Sequence, residues 1–181
     1  MHLKQTTRKW LHYKVDFPTA HPTHDEKSNT VWGDYFQPHG VSNAPLAILL
    51  HGMGDHSVIP CKLLARALAK KGIACFILYL VVHSSRMSEA TRRRFPTLTP
   101  KEWFETYQAS VIEVRQVIDW ASSREEIDSE QIAVIGISFG GFISAIAMGI
   151  DERIKGGEFI VTGGNGEKNI SGSYFEQRQI L

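Results

Sequence analysis

The chain has 181 residues, of which 43% are hydrophobic and 22% are charged, and this globular composition excludes a wholly disordered chain. Its 20 basic and 19 acidic side chains leave a formal net charge of +1, which gives no reason to expect nucleic acid or an anionic membrane as a partner. The longest apolar run, 73–82, is far shorter than the roughly 20 residues of a membrane span. With two cysteines and no apolar secretory segment at its start, the chain is predicted to be cytoplasmic.

The first 44 residues predict a pair of antiparallel strands. Apolar residues alternate imperfectly over 10–17 and recur over 30–37, and a polar stretch rich in turn-forming residues lies between them. That pattern is typical of two strands joined by a loop. We therefore expect residues 1–44 to add antiparallel strands to the domain that follows.

From residue 45 onward, short continuous apolar runs alternate with helical patterns, which predicts an α/β fold with a mostly parallel sheet and helices on both faces. The predicted buried strands are 46–50, 73–82, 132–135 and 159–161. The predicted helices are 60–71, 100–121 and 141–148, the last of them buried. We treat 1–181 as one domain, with the parallel core over 45–166 and an irregular tail over 167–181.

The strongest motif is GISFG at 136–140, which matches the pattern G-x-S-x-G between a predicted strand and a predicted helix. The bend there is so sharp that side chains two residues on either side of Ser138 would collide with neighbouring backbone, so both positions need glycine. The bend would lift the Ser138 hydroxyl above the sheet and turn the Phe139 N–H toward it. The alternative interpretation is a small-residue turn in which Ser138 only caps the helix.

A glycine-rich turn, HGMG at 51–54, follows the first predicted strand of the parallel core. A serine hydrolase needs a second backbone N–H that faces the same point as the Phe139 N–H, to hold the negative oxygen of the intermediate. Because glycines allow a close backbone approach, Met53 N–H is the candidate. The alternatives are a plain glycine turn and a phosphate-binding loop, although Ser57 stands where that loop would have its third glycine.

The polar insert 83–98 contains two further residues that could contact substrate, although no motif marks them. His83 and Arg86 lie nearest to the end of the preceding strand and are predicted to contact substrate, Arg86 as a clamp for a carboxylate. The alternative for the arginines of this insert, 92–94 above all, is a solvated loop surface. No cluster of histidine, cysteine and carboxylate residues has the spacing of metal ligands, so neither a metal nor another cofactor is expected.

Over residues 46–165 the chain resembles the α/β-hydrolase superfamily, and within it the branch of dienelactone hydrolases, acetyl esterases and prolyl-oligopeptidase-like proteins. The segments that carry the resemblance are HGMG at 51–54, VIDW at 117–120, ID at 127–128, QIAVIG at 131–136 and DERI at 151–154. The resemblance implies a triad of serine, acid and histidine. It also implies that Ser138 is the nucleophile and that Met53 and Phe139 are the oxyanion donors.

The sequence departs from this superfamily in its histidines. The acid and then the histidine should follow the serine along the chain, yet all eight histidines precede Ser138. Three explanations stay open: a chain shortened so that it lacks the last strands of the fold, a base supplied by His56 or His83, or a fold kept for binding without turnover. We favour the first, which predicts an exposed sheet edge near Phe159 and self-association through it.

Together these inferences predict a serine hydrolase that acts on a carboxylic ester or a related acyl compound, with a small-molecule acyl substrate as its partner. Ser138 would attack the acyl carbon. The first alternative is a catalytically silent protein of the same fold, because a serine without a base is a poor nucleophile. The second is a serine peptidase, since the residues do not separate esters from peptides.

Overall fold

The computed structural model describes residues 1–23 and 25–160, so the predicted tail over 167–181 lies outside the described residues. Its strands are β1 His2–Thr6, β2 Trp10–Pro18, β3 Thr30–Pro38, β4 Ala44–Leu50, β5 Ala74–Tyr79, β6 Ile127–Ile137 and β7 Ile154–Ile160. Its helices are α1 Val58–Ala69, α2 Glu89–Arg94, α3 Pro100–Ser122 and α4 Phe139–Ile150. The strands form one sheet in the order β1-β2-β3-β5-β4-β6-β7.

The centre of the sheet is parallel, as its continuous apolar runs predict. β4 pairs in parallel with β5 on one side and with β6 on the other, and β6 pairs in parallel with β7. The carboxyl ends of these four strands therefore meet at one edge of the sheet, where the residues that follow β4, β5 and β6 come together.

The predicted antiparallel pair in the first 44 residues is confirmed. β2 and β3 pair antiparallel along their whole length, and β3 then pairs antiparallel with β5, so these strands continue the sheet of the parallel core. β1, which pairs with β2, was missed by the sequence analysis because its residues are exposed and mostly polar and show no strand pattern.

Helices cover both faces of the sheet, which confirms the predicted α/β architecture. One hydrophobic cluster joins apolar residues of the central strands to α3 and α4, and a second joins the opposite face to α1. α3 begins at a capping box in which the Thr99 hydroxyl accepts from Glu102 N and the Glu102 carboxylate accepts from Thr99 N. None of the helices in the described residues is long and apolar enough to cross a membrane.

Three elements differ from the sequence-based expectation. The predicted buried helix over 141–148 is α4, but Ile146 and Ile150 on one of its faces are exposed, because a helix that is apolar all round does not reveal which face packs on the sheet. The apolar run 159–161 is typical of a buried strand, yet Phe159 in β7 is 40% exposed at the end of the described sheet, where the shortened-chain explanation places an edge. The insert after β5, expected to be irregular, contains the short helix α2.

Candidate active site

Ser138 is the single residue between β6 and α4, and it adopts a backbone conformation that is rare for a residue with a side chain. Its φ is 51° and its ψ is −115°. Its N–H donates to the carbonyl oxygen of Ile160 in β7 over 2.8 Å, and its own carbonyl oxygen accepts from Gly141 N over 2.9 Å. In the described residues its side chain makes no capping hydrogen bond to the helix, which argues against the interpretation of Ser138 as a cap.

The two glycines around Ser138 are required by close backbone contacts. A Cβ atom on Gly136 would lie 2.3 Å from the carbonyl oxygen of Gly140, and a Cβ on Gly140 would lie 2.3 Å from that of Leu50 in β4. Neither contact could be relieved by a side-chain rotation, because the opposing atoms belong to the backbone. The sharp bend inferred from the motif is therefore held between β4, β6 and α4.

The turn after β4 approaches this bend closely. A Cβ on Gly52 would lie 3.3 Å from the Cβ of Ser138 and 3.4 Å from the carbonyl oxygen of Ile137, so the two loops approach too closely for a side chain at position 52 without a small shift. Met53 follows Gly52 directly and is half-exposed. The Phe139 N–H is the first of α4 and has no acceptor within the helix. The structure thus brings the two predicted oxyanion segments to the same place, at the carboxyl ends of β4 and β6.

His51 supports the turn from inside the protein. Its fully buried ring accepts a hydrogen bond at Nε2 from Leu80 N over 3.0 Å, which fixes the proton on Nδ1, and Nδ1–H then donates to the carbonyl oxygen of Gly52 over 2.6 Å. The Ser57 hydroxyl donates to the same carbonyl over 2.7 Å. Nδ1–H of His51 therefore holds the Gly52 turn, and Nε2 ties His51 to Leu80 after β5, so neither ring nitrogen offers a lone pair to Ser138.

His83, a predicted substrate contact, follows β5 at the same edge of the sheet. Its ring centroid lies 5.4 Å from that of His51 and 4.8 Å from that of Tyr79. Its Nδ1 accepts from the backbone N of Ser85 over 3.2 Å, so the neutral ring carries its proton on Nε2. The Ser85 hydroxyl lies 2.8 Å from the same Nδ1, so Ser85 holds this side of the His83 ring through both its backbone and its side chain.

Arg86, the predicted clamp for a substrate carboxylate, is instead fully buried. Its guanidinium forms two parallel bonds with the Glu113 carboxylate of α3, at 2.5 Å and 2.8 Å, and it also donates to the carbonyl oxygens of Tyr79 and Ser28. The prediction that Arg86 contacts substrate needs correction, because a buried guanidinium with these partners joins structural elements. No sequence pattern indicated this pair, because Glu113 lies 27 positions away on the predicted helix.

Aromatic side chains of α3 pack against the residue that follows Ser138. The Phe139 ring lies 5.1 Å from that of Tyr107 and 6.2 Å from that of Trp103. Burial raises the pKa of the Tyr107 phenol, so this group stays protonated at neutral pH. These contacts hold the Phe139 side chain, at the start of α4, against α3.

Comparison with known proteins identifies the fold independently of this geometry. The family model described as "alpha/beta hydrolase fold" matches residues 45–162. No curated protein matches the sequence. A cold-adapted esterase from an Arctic intertidal metagenomic library superposes with a TM-score of 0.66 at 20% identity, over 87% of this chain and 64% of that one.

Two further solved structures show the same likeness. An acetyl xylan esterase from Paenibacillus sp. R4 gives a TM-score of 0.66 at 23% identity, over 86% of this chain and 51% of that one. The α/β hydrolase GrgF from Penicillium sp. sh18 gives 0.57 at 19% identity, over 81% of this chain and 44% of that one. The chain therefore spans between 44% and 64% of the length of these three structures, whose likeness shows the fold. Because the family match covers well over half of its residues, the chain belongs to the α/β-hydrolase fold family.

Proposed function

We propose that this chain carries the nucleophile and oxyanion donors of a serine hydrolase, with Ser138 as the nucleophile and the N–H groups of Met53 and Phe139 as the donors. The observation that carries the proposal is the positive φ of Ser138 at a bend where neither flanking glycine could bear a Cβ. Strain of this kind costs about 1–3 kcal/mol and persists where the surrounding structure enforces it, which is typical of functional sites.

The chemistry follows from this arrangement. Ser138 Oγ would bond to the carbonyl carbon of the substrate while its proton passes to a general base, and the two N–H groups would hold the negative oxygen. The bond to the leaving group would then break, and water would release the acyl group from the serine. Esters are the favoured substrates because two of the similar solved structures are described as esterases. We keep the narrower branch of dienelactone hydrolases and acetyl esterases as part of this proposal.

Labelling with a fluorophosphonate probe tests the proposal, because the probe reacts only with an activated serine. We expect the folded wild-type protein to be labelled and the Ser138→Ala variant to remain unlabelled. Labelling of both proteins, or of neither while circular dichroism shows them folded, would contradict the proposal. Hydrolysis of 4-nitrophenyl acetate and of the matching anilide then separates an esterase from a peptidase.

A catalytically silent protein is the second candidate, and the histidines favour it. Both ring nitrogens of His51 and the Nδ1 of His83 form hydrogen bonds with backbone groups. His56, which is exposed in the turn after Gly54, is the further histidine proposed as a base. If His56 is the base, His56→Ala should abolish labelling while changing the free energy of unfolding by less than about 0.5 kcal/mol. Unchanged labelling would exclude His56 from that role.

A further inference from the structure

A cavity of about 370 Å³ lies between the insert that follows β5 and the first half of α3. Pockets that bind small molecules in proteins run from about 300 to 1,000 Å³, so this one is large enough for a ligand. It lies outside the residues of the candidate site, and nothing in the motifs of the sequence indicated it. The loop between β2 and β3 forms a third wall through residues such as Pro22 and Asp25.

The lining of the cavity mixes apolar and polar side chains, and apolar atoms contribute the larger part of its surface. Six hydrophobic side chains contribute to its lining: Val81, Val82, Met87, Phe95, Leu98 and Ala109. Several of the polar groups among the lining residues already have partners within the protein. The Ser28 hydroxyl donates to the carbonyl oxygen of Arg86, and the Thr106 hydroxyl donates to that of Glu102. A ligand would therefore gain mainly from burying apolar surface.

The charged groups around the cavity disfavour an anionic ligand. Three carboxylates, of Asp25, Glu102 and Glu105, line it together with the ring of His21 and one guanidinium, that of Arg94, which already pairs with Glu102 over 2.6 Å. Hydrogen bonds from Thr99 lower the pKa of Glu102 to about 2. Burial acts to raise the pKa of Asp25, but hydrogen bonds from Thr91, Ser88 and Lys27 outweigh it and lower that pKa. Both groups are thus negatively charged at neutral pH, and a ligand carboxylate would be repelled.

The cavity lies at the same edge of the sheet as Ser138. Val81 and Val82 follow β5, and Ser138 follows β6, with β4 between these two strands. Adjacent strands are about 4.8 Å apart, so the two strand ends are separated by about 10 Å. Phe95, in the cavity wall, packs on Trp103 with ring centroids 5.3 Å apart, and Trp103 packs on Phe139. One aromatic layer therefore joins the cavity wall to the residue that follows the nucleophile.

We propose that this cavity binds the apolar, uncharged part of an ester substrate whose carbonyl group lies at Ser138. The inference rests on the proposed function, since it names the class of substrate for the same serine. It selects neutral esters with an aromatic or short alkyl group and rejects substrates that carry a carboxylate at that end.

Calorimetric titration of the Ser138→Ala protein measures binding without turnover. Ethyl phenylacetate is the probe, and phenylacetate, which has the same ring and a free carboxylate, is its charged counterpart. We expect the ester to bind and phenylacetate to bind at least about tenfold more weakly, because repulsion from the ionised carboxylates at the rim adds to the cost of desolvating its charge. Absence of ester binding, or equal binding of the two compounds, would overturn the proposal.

Filling the cavity locates the bound ester. In the Ser138→Ala background, Ala109→Leu adds side-chain volume to the cavity, and ester affinity should fall about tenfold or more, as for a misfit in an apolar pocket. Thr106→Leu also adds volume to the cavity, from a partly exposed position, and it replaces Ala109→Leu in the measurement if Ala109→Leu does not fold. The matched control is Ala67→Leu, which makes the same change on the exposed face of α1 and should leave affinity unchanged. Equal affinity in a folded cavity variant and the control contradicts the proposal.

Protection of Ser138 separates this inference from the proposed function. Benzyl propyl ketone replaces the ester oxygen with carbon and cannot be hydrolysed, so it should slow fluorophosphonate labelling of the wild-type protein. The same ketone should give little protection to Ala109→Leu, and equal protection of both proteins would show that the cavity is not used. If the wild-type protein is not labelled at all, the hydrolase proposal fails, while calorimetry still decides whether the cavity binds the ester.

Discussion

The bend at Ser138 depends on two atoms that are absent, the Cβ atoms of Gly136 and Gly140. Their absence lets β4, β6 and α4 approach until backbone contacts backbone. The sequence predicted this bend because the collision is local and follows from the spacing of the motif. It could not predict the partners of His51, since Leu80 lies 29 positions further along the chain and is brought close only by the pairing of β4 with β5.

Gly140→Ala should destabilise the protein by about 3 kcal/mol or more, because its Cβ would lie 2.3 Å from the carbonyl oxygen of Leu50 and 2.7 Å from that of His51. Urea unfolding measures the loss. The matched control is Gly149→Ala in the same helix, where a Cβ meets no atom within 4 Å and should add about 0.5–1 kcal/mol of helix stability. Equal effects of the two substitutions would show that the bend tolerates a side chain.

A helix could be predicted from the sequence where one of its faces is apolar and the other is polar. The sequence TPKE at 99–102 is typical of a capping box, and α3 begins there. Apolar residues follow at spacings of three and four, and those on this face, such as Val114 and Ile118, are buried. α4 gave no such contrast, so its exposed face was missed. α2 was missed because it is short, although Ser88 caps it by accepting a hydrogen bond from Thr91 N. The helix cap and the spacing of apolar residues therefore predicted the long helix α3. Which face of the uniformly apolar helix α4 is buried depends on how α4 packs against the sheet.

The buried Arg86–Glu113 pair joins the insert after β5 to α3 and to the segment that contains Ser28. Arg86→Ala should cost about 3–5 kcal/mol, because it leaves the Glu113 carboxylate buried without its partner. The double variant Arg86→Met/Glu113→Leu should be more stable than Arg86→Ala, since it removes both charges. Denaturant unfolding of Arg86→Met, of Glu113→Leu and of the double variant measures the coupling free energy between the residues.

An exposed ion pair provides the comparison for this coupling. Glu89 and Arg93 of α2 pair at the surface, 2.9 Å apart, and Arg93→Ala should change stability by less than about 1 kcal/mol. Additive effects of the Arg86 and Glu113 substitutions would contradict the argument that the buried pair acts as one unit.

The arrangement of the whole sheet explains why the sequence located the candidate site but misjudged one of its residues. Parallel strands bring the residues after β4, β5 and β6 to one edge whatever their side chains, so the positions of Gly52, His83 and Ser138 followed from the strand pattern. Whether a side chain at that edge faces substrate or interior depends on partners far along the chain. Arg86 faces Glu113 and the interior, and no local pattern could reveal it.

On the α1 side of the sheet, β2, β3, β5 and α1 meet at the buried carboxylate of Asp34, which couples the stability of the whole fold to pH. Asp34 Oδ1 accepts from His12 Nε2 over 3.0 Å, Asp34 Oδ2 accepts from the Tyr79 hydroxyl over 2.8 Å, and Lys62 Nζ lies 3.5 Å away. Burial acts to raise the pKa of Asp34, but the His12 hydrogen bond, the charge of Lys14 and the Tyr79 hydrogen bond outweigh it and lower that pKa to about 2.

A carboxylate whose pKa is lower in the folded state stabilises the fold above its unfolded pKa, and this contribution is lost as the pH falls from about 4 to about 2. The shift corresponds to about 2 kcal/mol at neutral pH. Asp34→Asn should therefore be less stable than the wild-type protein by about that amount at pH 7. Most of this deficit should disappear near pH 2, where Asp34 is protonated in the unfolded state and about half protonated in the folded state. Urea unfolding across this range tests the difference, with Asp16→Asn at a more exposed position as the control. A deficit of Asp34→Asn that stays constant with pH would mean that Asp34 stabilises the fold by packing, because only an ionised carboxylate gives a deficit that disappears in acid.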